Sequence, residues 1–139
     1  MAWDIVSSPE IGYWVAAQTD GGYFKERSGA IGLIRDGKIV AGVIYENWNG
    51  KSVVCHIAIT GQVNRPFLKT ICGYGVYGLG AEKAIAPITS NNTKSIKVAK
   101  ALGFTEEARI KDAAPDGDII LFTMTPEQCR FLGDAKHGR

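Results

Sequence analysis

Two hairpin turns near the middle of the chain constrain its fold more than any other feature. Asp36-Gly37 separates the strand-like run at residues 30–34 from the run at 38–45. Trp48-Asn49-Gly50 then precedes a third run at 52–60. Asp-Gly and Asn-Gly pairs favour the tight turns that join antiparallel neighbours. The sequence therefore predicts a three-stranded antiparallel meander.

Helix and strand patterns alternate on both sides of the meander. Residues 3–7 predict a strand, and Ser8-Pro9 predicts the start of a helix that ends at Asp20-Gly21-Gly22. After the meander the sequence predicts a helix at 65–79, a buried strand at 83–89 and a helix at 94–101. Two strands at 109–111 and 118–124 and a short helix after Thr125 complete the order. The crossover from 52 to 89 predicts one parallel strand pair.

Composition limits the class of protein. The chain has 139 residues, 45% hydrophobic and 22% charged, which predicts one globular domain at 1–132 and a flexible tail at 133–139. A net charge of +2 without a dense Lys/Arg run argues against nucleic acid binding. No apolar run is long enough to span a membrane and no signal peptide pattern is present, so we expect a cytoplasmic protein.

The cysteines and histidines form no recognisable metal motif. Cys55, Cys72 and Cys129 are widely spaced, and His56 and His137 are the only histidines. We therefore expect no metal site. In a reducing cytoplasm the three cysteines would be free thiols.

The most specific motif is N-T-K-S-I-K-V-A-K-A-L-G-F, from Asn92 to Phe104. It combines a polar strand exit, a short amphipathic helix and a Gly103 turn into another strand. The stretch resembles the N-x-x-S-(x)n-L-G-F signature of the GCN5-related N-acetyltransferases (GNAT). The resemblance implies the GNAT fold: an α/β (α+β) architecture whose mixed, mostly antiparallel sheet has a parallel splayed strand pair and flanking helices. It also implies acetyl-coenzyme A as cosubstrate.

The resemblance also implies where acetyl-coenzyme A is held. Its pantetheine arm would bond to the backbone of the third meander strand, at Ile57, Ala58 and Ile59. Its pyrophosphate would lie at the start of the next helix, where unpaired N–H groups and the helix dipole attract an anion. The side chains implied in cofactor contacts are Gln62, Asn64, Arg65, Lys69, Asn92 and Ser95.

The phosphate loop departs from the family pattern Q/R-x-x-G-x-G/A. Gln62 matches the first position, but Arg65 and Phe67 replace the two small residues. Small residues let the backbone approach phosphate closely. Charge-assisted contacts from Arg65 and Lys69 to the phosphates would compensate for the missing glycines. The alternative for both residues is a structural role as solvated residues on the helix surface.

The catalytic groups are less clearly marked. The base that takes the amine proton would be Glu46 or His56, and imidazole titrates near neutrality. Each has a structural alternative, as a solvated hairpin residue and as a hydrogen-bonded core residue. The family often has a Tyr acid seven residues after Asn92, where this chain has Ala99. Water, Ser95 or another residue would then be the acid.

Similarity in the second half of the chain suggests a narrower group. Residues 67–69 and 74–80, and the ending with Gly117-Asp118, Met124 and residues 129–132, resemble phage-encoded GNAT members near the ribosomal-protein N-acetyltransferase branch. That group would act in a host cytoplasm. Its acceptor would be a protein lysine or N-terminus, a modified nucleobase or a small amine, and a homodimer is compatible with it.

Two functional hypotheses follow. The first is an acetyl-coenzyme A-dependent N-acetyltransferase in which a primary amine attacks the thioester directly in a ternary complex. The loop at 9–27 and the turn at 115–117 would line its acceptor side. The second is a catalytically weak or inactive GNAT-fold binding module, virion-associated or host-interacting, which Ala99 and the altered loop at 62–67 favour.

Overall fold

The computed structural model of the chain describes residues 2–19, 21–78 and 80–131. The first half contains β1 (Trp3–Val6), α1 (Pro9–Gln18), β2 (Gly29–Arg35), β3 (Lys38–Glu46) and β4 (Ser52–Ile59). The second half contains α2 (Arg65–Cys72), a π-helix (Gly73–Gly78), β5 (Lys83–Thr89), α3 (Thr93–Leu102), β6 (Thr105–Ala114), β7 (Gly117–Met124) and a 3-10 turn (Pro126–Gln128). None of the described helices is long and apolar enough to cross a membrane. The expected tail at 133–139 lies outside the described residues.

The strands form a seven-stranded sheet in the order β1-β2-β3-β4-β5-β7-β6. All neighbouring pairs are antiparallel except β4 and β5, which are parallel. That parallel pairing covers only residues 52–54 against 83–85. Beyond these three residue pairs the two strands separate. The predicted mixed sheet with a splayed parallel pair is confirmed.

The helices cover the two faces of the sheet. A smaller cluster joins α1 to one face and contains Ile11, Val15, Ala30, Ile44 and Ala58. The larger cluster joins α2 and α3 to the other face and includes Val43, Cys55, Ile57, Phe67, Ala99 and Leu102. Successive side chains of a strand point to opposite faces. His56 therefore lies on the α1 face, between two residues of β4 that face the larger core.

Glycines in the strands beneath α1 let this helix lie close to the sheet. A Cβ at Gly42 would be 2.5 Å from a methyl of Val15, and one at Gly32 would overlap the side chain of Ile11. Both partners are fully buried. The close approach brings the C-terminal end of α1 over β4, where the candidate site lies.

The helix predicted for 65–79 consists of two segments, and the prediction of a single helix is wrong. The α-helix ends at Cys72, a π-helix follows at Gly73–Gly78, and Leu79 lies outside the described residues. The buried Tyr45 hydroxyl donates a 2.7 Å hydrogen bond to the carbonyl of Ile71. A side chain inserted into the helical hydrogen-bond ladder is a known cause of such a change. Burial raises the pKa of Tyr45 well above its ordinary value.

The expectation of three free thiols is also wrong. Cys72 at the end of α2 and Cys129 after the 3-10 turn form a disulfide, whereas Cys55 is a buried free thiol. The partners are 57 residues apart in sequence, so no short spacing motif announces the bond. Burial raises the pKa of the Cys55 thiol to about 12.

Smaller differences concern the C-terminal elements. β6 covers Thr105–Ala114 rather than 109–111, and nearly all of its residues are exposed, so it lacks the alternation that marks a half-buried strand. The last predicted helix is only a 3-10 turn, although Thr125 does precede it. Gln128 Oε1 accepts a 2.8 Å hydrogen bond from the Thr125 N–H.

The Asp118 carboxylate organises the β6–β7 hairpin. It accepts 3.0 Å hydrogen bonds from the Asp112 N–H and from the Arg109 guanidinium. The N–H of Asp118 donates to the Ser90 hydroxyl, also at 3.0 Å. The Asp112 N–H first, and then Arg109, lower the pKa of Asp118. This network fixes the turn that carries Pro115 and Asp116.

We predict that Asp118→Asn destabilises the protein at neutral pH and that the loss shrinks in acid. A carboxyl whose pKa is lowered in the folded state contributes stability above its unfolded pKa, and loses it as pH falls through the folded pKa. Urea denaturation at about pH 6 and about pH 3 measures the change, because the unfolded pKa of Asp is about 3.9. Asp116→Asn is the control, since no hydrogen bond or ion pair of Asp116 is found among the described residues. The same pH dependence in both variants would contradict the assignment.

Candidate functional site

A groove opens where β4 and β5 separate. One cavity of about 380 Å³ lies between the end of α1, β4, β5 and the β6–β7 hairpin. A second cavity of about 270 Å³ adjoins it at the end of β4. Both are lined by Gln18, Thr89, Asn91 and Asn92. Together they form a groove along β4, with His56 in the first cavity and Thr60 in the second.

Pro87 shows why β5 tolerates the gap. It pairs with Leu121 of β7 and also lines the first cavity. Proline has no N–H to donate and is normally excluded from the interior of a sheet. At Pro87 the neighbouring strand β4 has already separated from β5, so the absent N–H leaves no hydrogen bond between these strands unmade. A proline inside the run at 83–89 is thus a sequence signal for the gap.

The backbone of β4 presents alternate residues to the groove. The Ile57 carbonyl accepts a 3.0 Å hydrogen bond from Ser95 on the side away from β3. The N–H and C=O of one extended residue point to the same side, and the next residue points to the other. The N–H groups of Ile57 and Ile59 therefore face the gap, whereas the N–H group of Ala58 faces its partner Gly42 in β3. Ala58 lines the second cavity with its methyl group.

Asn92 and Ser95 lie at the start of α3, beside the groove. Asn92 precedes the helix, and its Oδ1 accepts a hydrogen bond from the Ser95 N–H at 3.3 Å. Ser95 is fully buried, with its hydroxyl bonded to Ile57. Ser95 thus fastens α3 to β4 and has no part in the chemistry proposed below. Asn92 lines both cavities, and among the described residues we find no partner for its amide N–H groups.

The loop after β4 is more crowded than a glycine-rich loop. Asn64 caps α2, because its Oδ1 accepts a 3.0 Å hydrogen bond from the Phe67 N–H. Pro66 has no N–H, so the helix start offers fewer donors to an anion. The Arg65 guanidinium lies 5.2 Å from the centre of the Phe131 ring. Gln62 and Lys69 are exposed.

Lys94 adds a cation that the sequence interpretation missed. It lies in the first turn of α3, and its Nζ donates a 3.4 Å hydrogen bond to the carbonyl of Thr60. Lys94 and Arg65 therefore stand at the starts of α3 and α2, on either side of the loop after β4. The lysine at the third position of N-T-K-S was the available signal.

The two candidate bases, His56 and Glu46, form one pair. His56 Nε2 lies 3.0 Å from Glu46 Oε1, with side chains 12% and 18% exposed. His56 is opposite Ile44 in β3, which makes Glu46 its diagonal neighbour on the α1 face. An ionised carboxylate only accepts hydrogen bonds, so Nε2 carries the proton in the neutral imidazole. Nδ1 then keeps its lone pair, and we find no partner for it among the described residues.

The segment after α1 covers the face of the His56 ring. Thr19 ends α1, donating its hydroxyl to the Val15 carbonyl at 3.0 Å and accepting the Gly21 N–H at 3.1 Å. A Cβ at Gly21 would lie 2.5 Å from His56 Cγ and 2.7 Å from Nδ1. Any side chain at this position would have to displace the imidazole. The imidazole is thus held between Gly21 and Glu46.

The first cavity has one carboxylate in its described lining. The described residues that line it include Asp116 but no Lys or Arg. The carboxylate of Glu46 lies behind His56, to which it is bonded. Residues 17–19 at the end of α1 and Pro115 and Asp116 also line this cavity. They belong to the loop at 9–27 and the turn at 115–117, the two segments that the sequence predicts for the acceptor side. The described part of the chain contains no cluster of His, Cys, Asp and Glu that fits a metal ion.

Solved structures with a similar fold include several acetyltransferases. Spermidine/spermine N-acetyltransferase SpeG from Vibrio cholerae gives a TM-score of 0.69 at 11% identity, over 96% of this chain and 99% of that chain. IAA acetyltransferase from Bacillus cereus gives 0.70 at 12%, over 89% and 99%. N-acetyltransferase PseH from Campylobacter jejuni, in complex with acetyl coenzyme A, gives 0.55 at 16%, over 73% and 70%. No family model and no curated protein matches the sequence. The chain has the GNAT fold.

We predict that Gly21→Ala disturbs the His56–Glu46 pair without unfolding the protein. The added methyl has to displace the imidazole, because the ring lies within 2.7 Å of the new Cβ. Under conditions in which the imidazole is neutral, long-range proton–nitrogen NMR of His56, assigned with a His56→Gln variant, should show a protonated Nε2 and an unprotonated Nδ1 in the wild type. Gly21→Ala should lose this tautomer preference.

Gly22→Ala is the matched control for this experiment. Its Cβ would meet only the exposed Phe24 ring, at 3.2 Å, and that ring can move. The control should keep the wild-type imidazole spectrum. An unchanged spectrum in Gly21→Ala would show that the loop does not hold the ring.

Proposed function

We propose that the protein is an acetyl-coenzyme A-dependent N-acetyltransferase, in which a primary amine attacks the thioester directly in a ternary complex. The observation that carries the proposal is the groove between β4 and β5. It places unpaired β4 backbone and the His56–Glu46 pair along one continuous path. The GNAT fold supports this interpretation, and the PseH structure holds acetyl coenzyme A on the same fold.

The residues along the groove fit an acyl donor of this kind. The N–H groups of Ile57 and Ile59 would bond to the amide-rich pantetheine arm, with the Ala58 methyl against it. Asn92 would contact the arm from the other wall. At the far end Arg65, Lys69 and Lys94 would meet the phosphates by charge rather than through a glycine cradle, with Gln62 and Asn64 in the loop between them.

The first cavity fits a cationic acceptor. An amine arrives mostly as its ammonium form, and the carboxylate of Asp116 would attract that charge, with no Lys or Arg among the described residues that line the cavity. The acceptor classes that we propose are a protein lysine or N-terminus, a modified nucleobase and a small amine. The fold is shared with SpeG, which acts on spermidine and spermine, and this makes a polyamine a sensible first probe.

The chemistry needs one proton acceptor. After the ammonium has released a proton to solvent, the neutral amine nitrogen forms the C–N bond to the thioester carbon. His56 Nδ1 takes the second proton, and Glu46 stabilises the imidazolium through Nε2–H. The C–S bond breaks, and the sulfur leaves with its electron pair. His56 then returns its proton to that sulfur, giving the amide and the free thiol.

This proton return replaces the missing tyrosine acid. Ala99 is fully buried in the core cluster beneath α3. A tyrosine at this position would have no room, so the departing thiolate cannot be protonated from there. In our proposal the His56–Glu46 pair therefore serves as base and then as acid.

A GNAT-fold binding module is the second candidate function. The capped start of α2, with Asn64 bonded to Phe67 and Pro66 lacking an N–H, favours it because the usual phosphate donors are reduced. Such a protein would bind coenzyme A or a partner without acetyl transfer. A phage-encoded member of the ribosomal-protein branch, acting in a host cytoplasm, stays a prediction, as does a homodimer.

We predict that the wild type releases coenzyme A thiol from acetyl-coenzyme A in the presence of spermidine or a lysine peptide. His56→Gln should lower this rate about 10²- to 10⁴-fold, the range typical for losing a general base. Glu46→Gln should lower it less, because the imidazole stays in place. Calorimetry should give acetyl-coenzyme A the same dissociation constant in all three proteins.

Glu82→Gln is the control, because Glu82 is an exposed glutamate with a surface ion pair to Lys51. It should retain the wild-type rate. Binding of acetyl-coenzyme A without thiol release for any amine would favour the binding module. No binding of acetyl-coenzyme A at all would contradict the acetyltransferase and leave only a module that binds another partner.

A further inference from the structure

The reacting carbonyl has a defined place in the groove, if the proposed function holds. It must lie between the first cavity, where His56 would take the amine proton, and the second cavity, which leads to the phosphate-binding end. The walls of that junction are the residues that line both cavities: Gln18, Thr89, Asn91 and Asn92. Any side chain that contacts the carbonyl oxygen should come from this set.

Two of the four are already bonded to each other. The Thr89 hydroxyl donates a 2.9 Å hydrogen bond to Asn91 Oδ1. Asn92 is tied to α3 through Oδ1, which accepts the Ser95 N–H. Asn91 and Asn92 line the groove from the β5–α3 connection, and the described residues give their side-chain N–H groups no partner. Gln18 lines it from α1, and its exposed side chain likewise has no hydrogen-bond partner among the described residues. It is the one of the four that can donate from the α1 side.

We propose that Gln18 is a catalytic residue whose side-chain amide donates a hydrogen bond to the thioester carbonyl oxygen. Negative charge develops on this oxygen as the amine attacks. A fixed donor aimed at such an oxygen is one of the strongest single contributions to catalysis. The inference rests on the proposed function and adds to it a donor that no sequence motif indicates.

The position of Gln18 explains what a side-chain donor would add to the backbone N–H groups of β4. Gln18 is the last residue of α1, and Thr19 ends the helix by bonding back to Val15. The C-terminal end of a helix presents carbonyl oxygens and a partial negative charge. That end attracts the ammonium of the acceptor but repels a developing oxyanion. The side-chain N–H of Gln18 would place one hydrogen-bond donor at this otherwise negative end, where it can stabilise the oxyanion.

Gln18→Met tests the inference, because it removes the donor but keeps the length of the side chain and its helix propensity. The measurement is the infrared carbonyl band of carbon-13-labelled acetyl-coenzyme A bound to the protein. A hydrogen bond to the carbonyl lowers its stretching frequency. The bound band should lie below that of free acetyl-coenzyme A in the wild type and move back in Gln18→Met.

Gln128→Met is the matched control, since it makes the same change at an exposed glutamine that lines neither cavity. It should leave both the carbonyl band and the affinity for acetyl-coenzyme A at their wild-type values. With an accepted amine, Gln18→Met should lower kcat about 100-fold, the scale for one lost oxyanion donor, with little change in KM for acetyl-coenzyme A. Circular dichroism and Tm confirm that each variant is folded.

The outcomes separate this inference from the proposed function. A lowered band in the wild type that Gln18→Met restores supports the role of Gln18. The same band in wild type and Gln18→Met overturns it while leaving acetyl-coenzyme A binding intact. A wild type that does not bind labelled acetyl-coenzyme A overturns the proposed function and, with it, this inference.

Discussion

The short parallel pairing of β4 with β5 is the constraint on which the rest of the structure depends. Three residue pairs hold the strands together, and their divergence then leaves β4 backbone groups without partners inside the sheet. Unpaired backbone N–H and C=O groups are costly when they are buried, so they need water, a side chain or a ligand. Ser95 satisfies the Ile57 carbonyl. The remaining N–H groups open onto the groove, which gives an amide-rich ligand a strand to pair with.

The elements around the gap place charge along it in a consistent way. Cations stand at the starts of α2 and α3, through Arg65 and Lys94, whereas the opposite end has Asp116 and the His56–Glu46 pair. An anionic phosphate group and a cationic amine would thus enter from different ends. Gly21 covers the ring of His56, the proposed base, and holds it between these two ends.

Much of the fold could be predicted from the sequence because its signals are local. The Asp36-Gly37 turn, the crossover and Gly103 predict the order of elements and the parallel pair. The long-range features were missed, since the Cys72–Cys129 bond and the Tyr45 contact that accompanies the π-helix join distant segments. For the candidate site, the sequence offers His56 and Glu46 as alternatives, whereas the register of β3 and β4 brings them together as one pair. Pro87 and Lys94 were readable signals, whereas Gln18 follows from the packing of α1.

The most direct test of the account is a proton–nitrogen NMR titration of the backbone amides with coenzyme A, which needs no acceptor. The account predicts that the Ile57 and Ile59 amide signals shift most along β4, and that the Ala58 amide, bonded toward β3, shifts less. The Asn92 side-chain amide should shift with them. A titration in which these signals stay in place, or in which coenzyme A perturbs a different surface, would contradict the claim that the β4–β5 gap is the acyl-donor site.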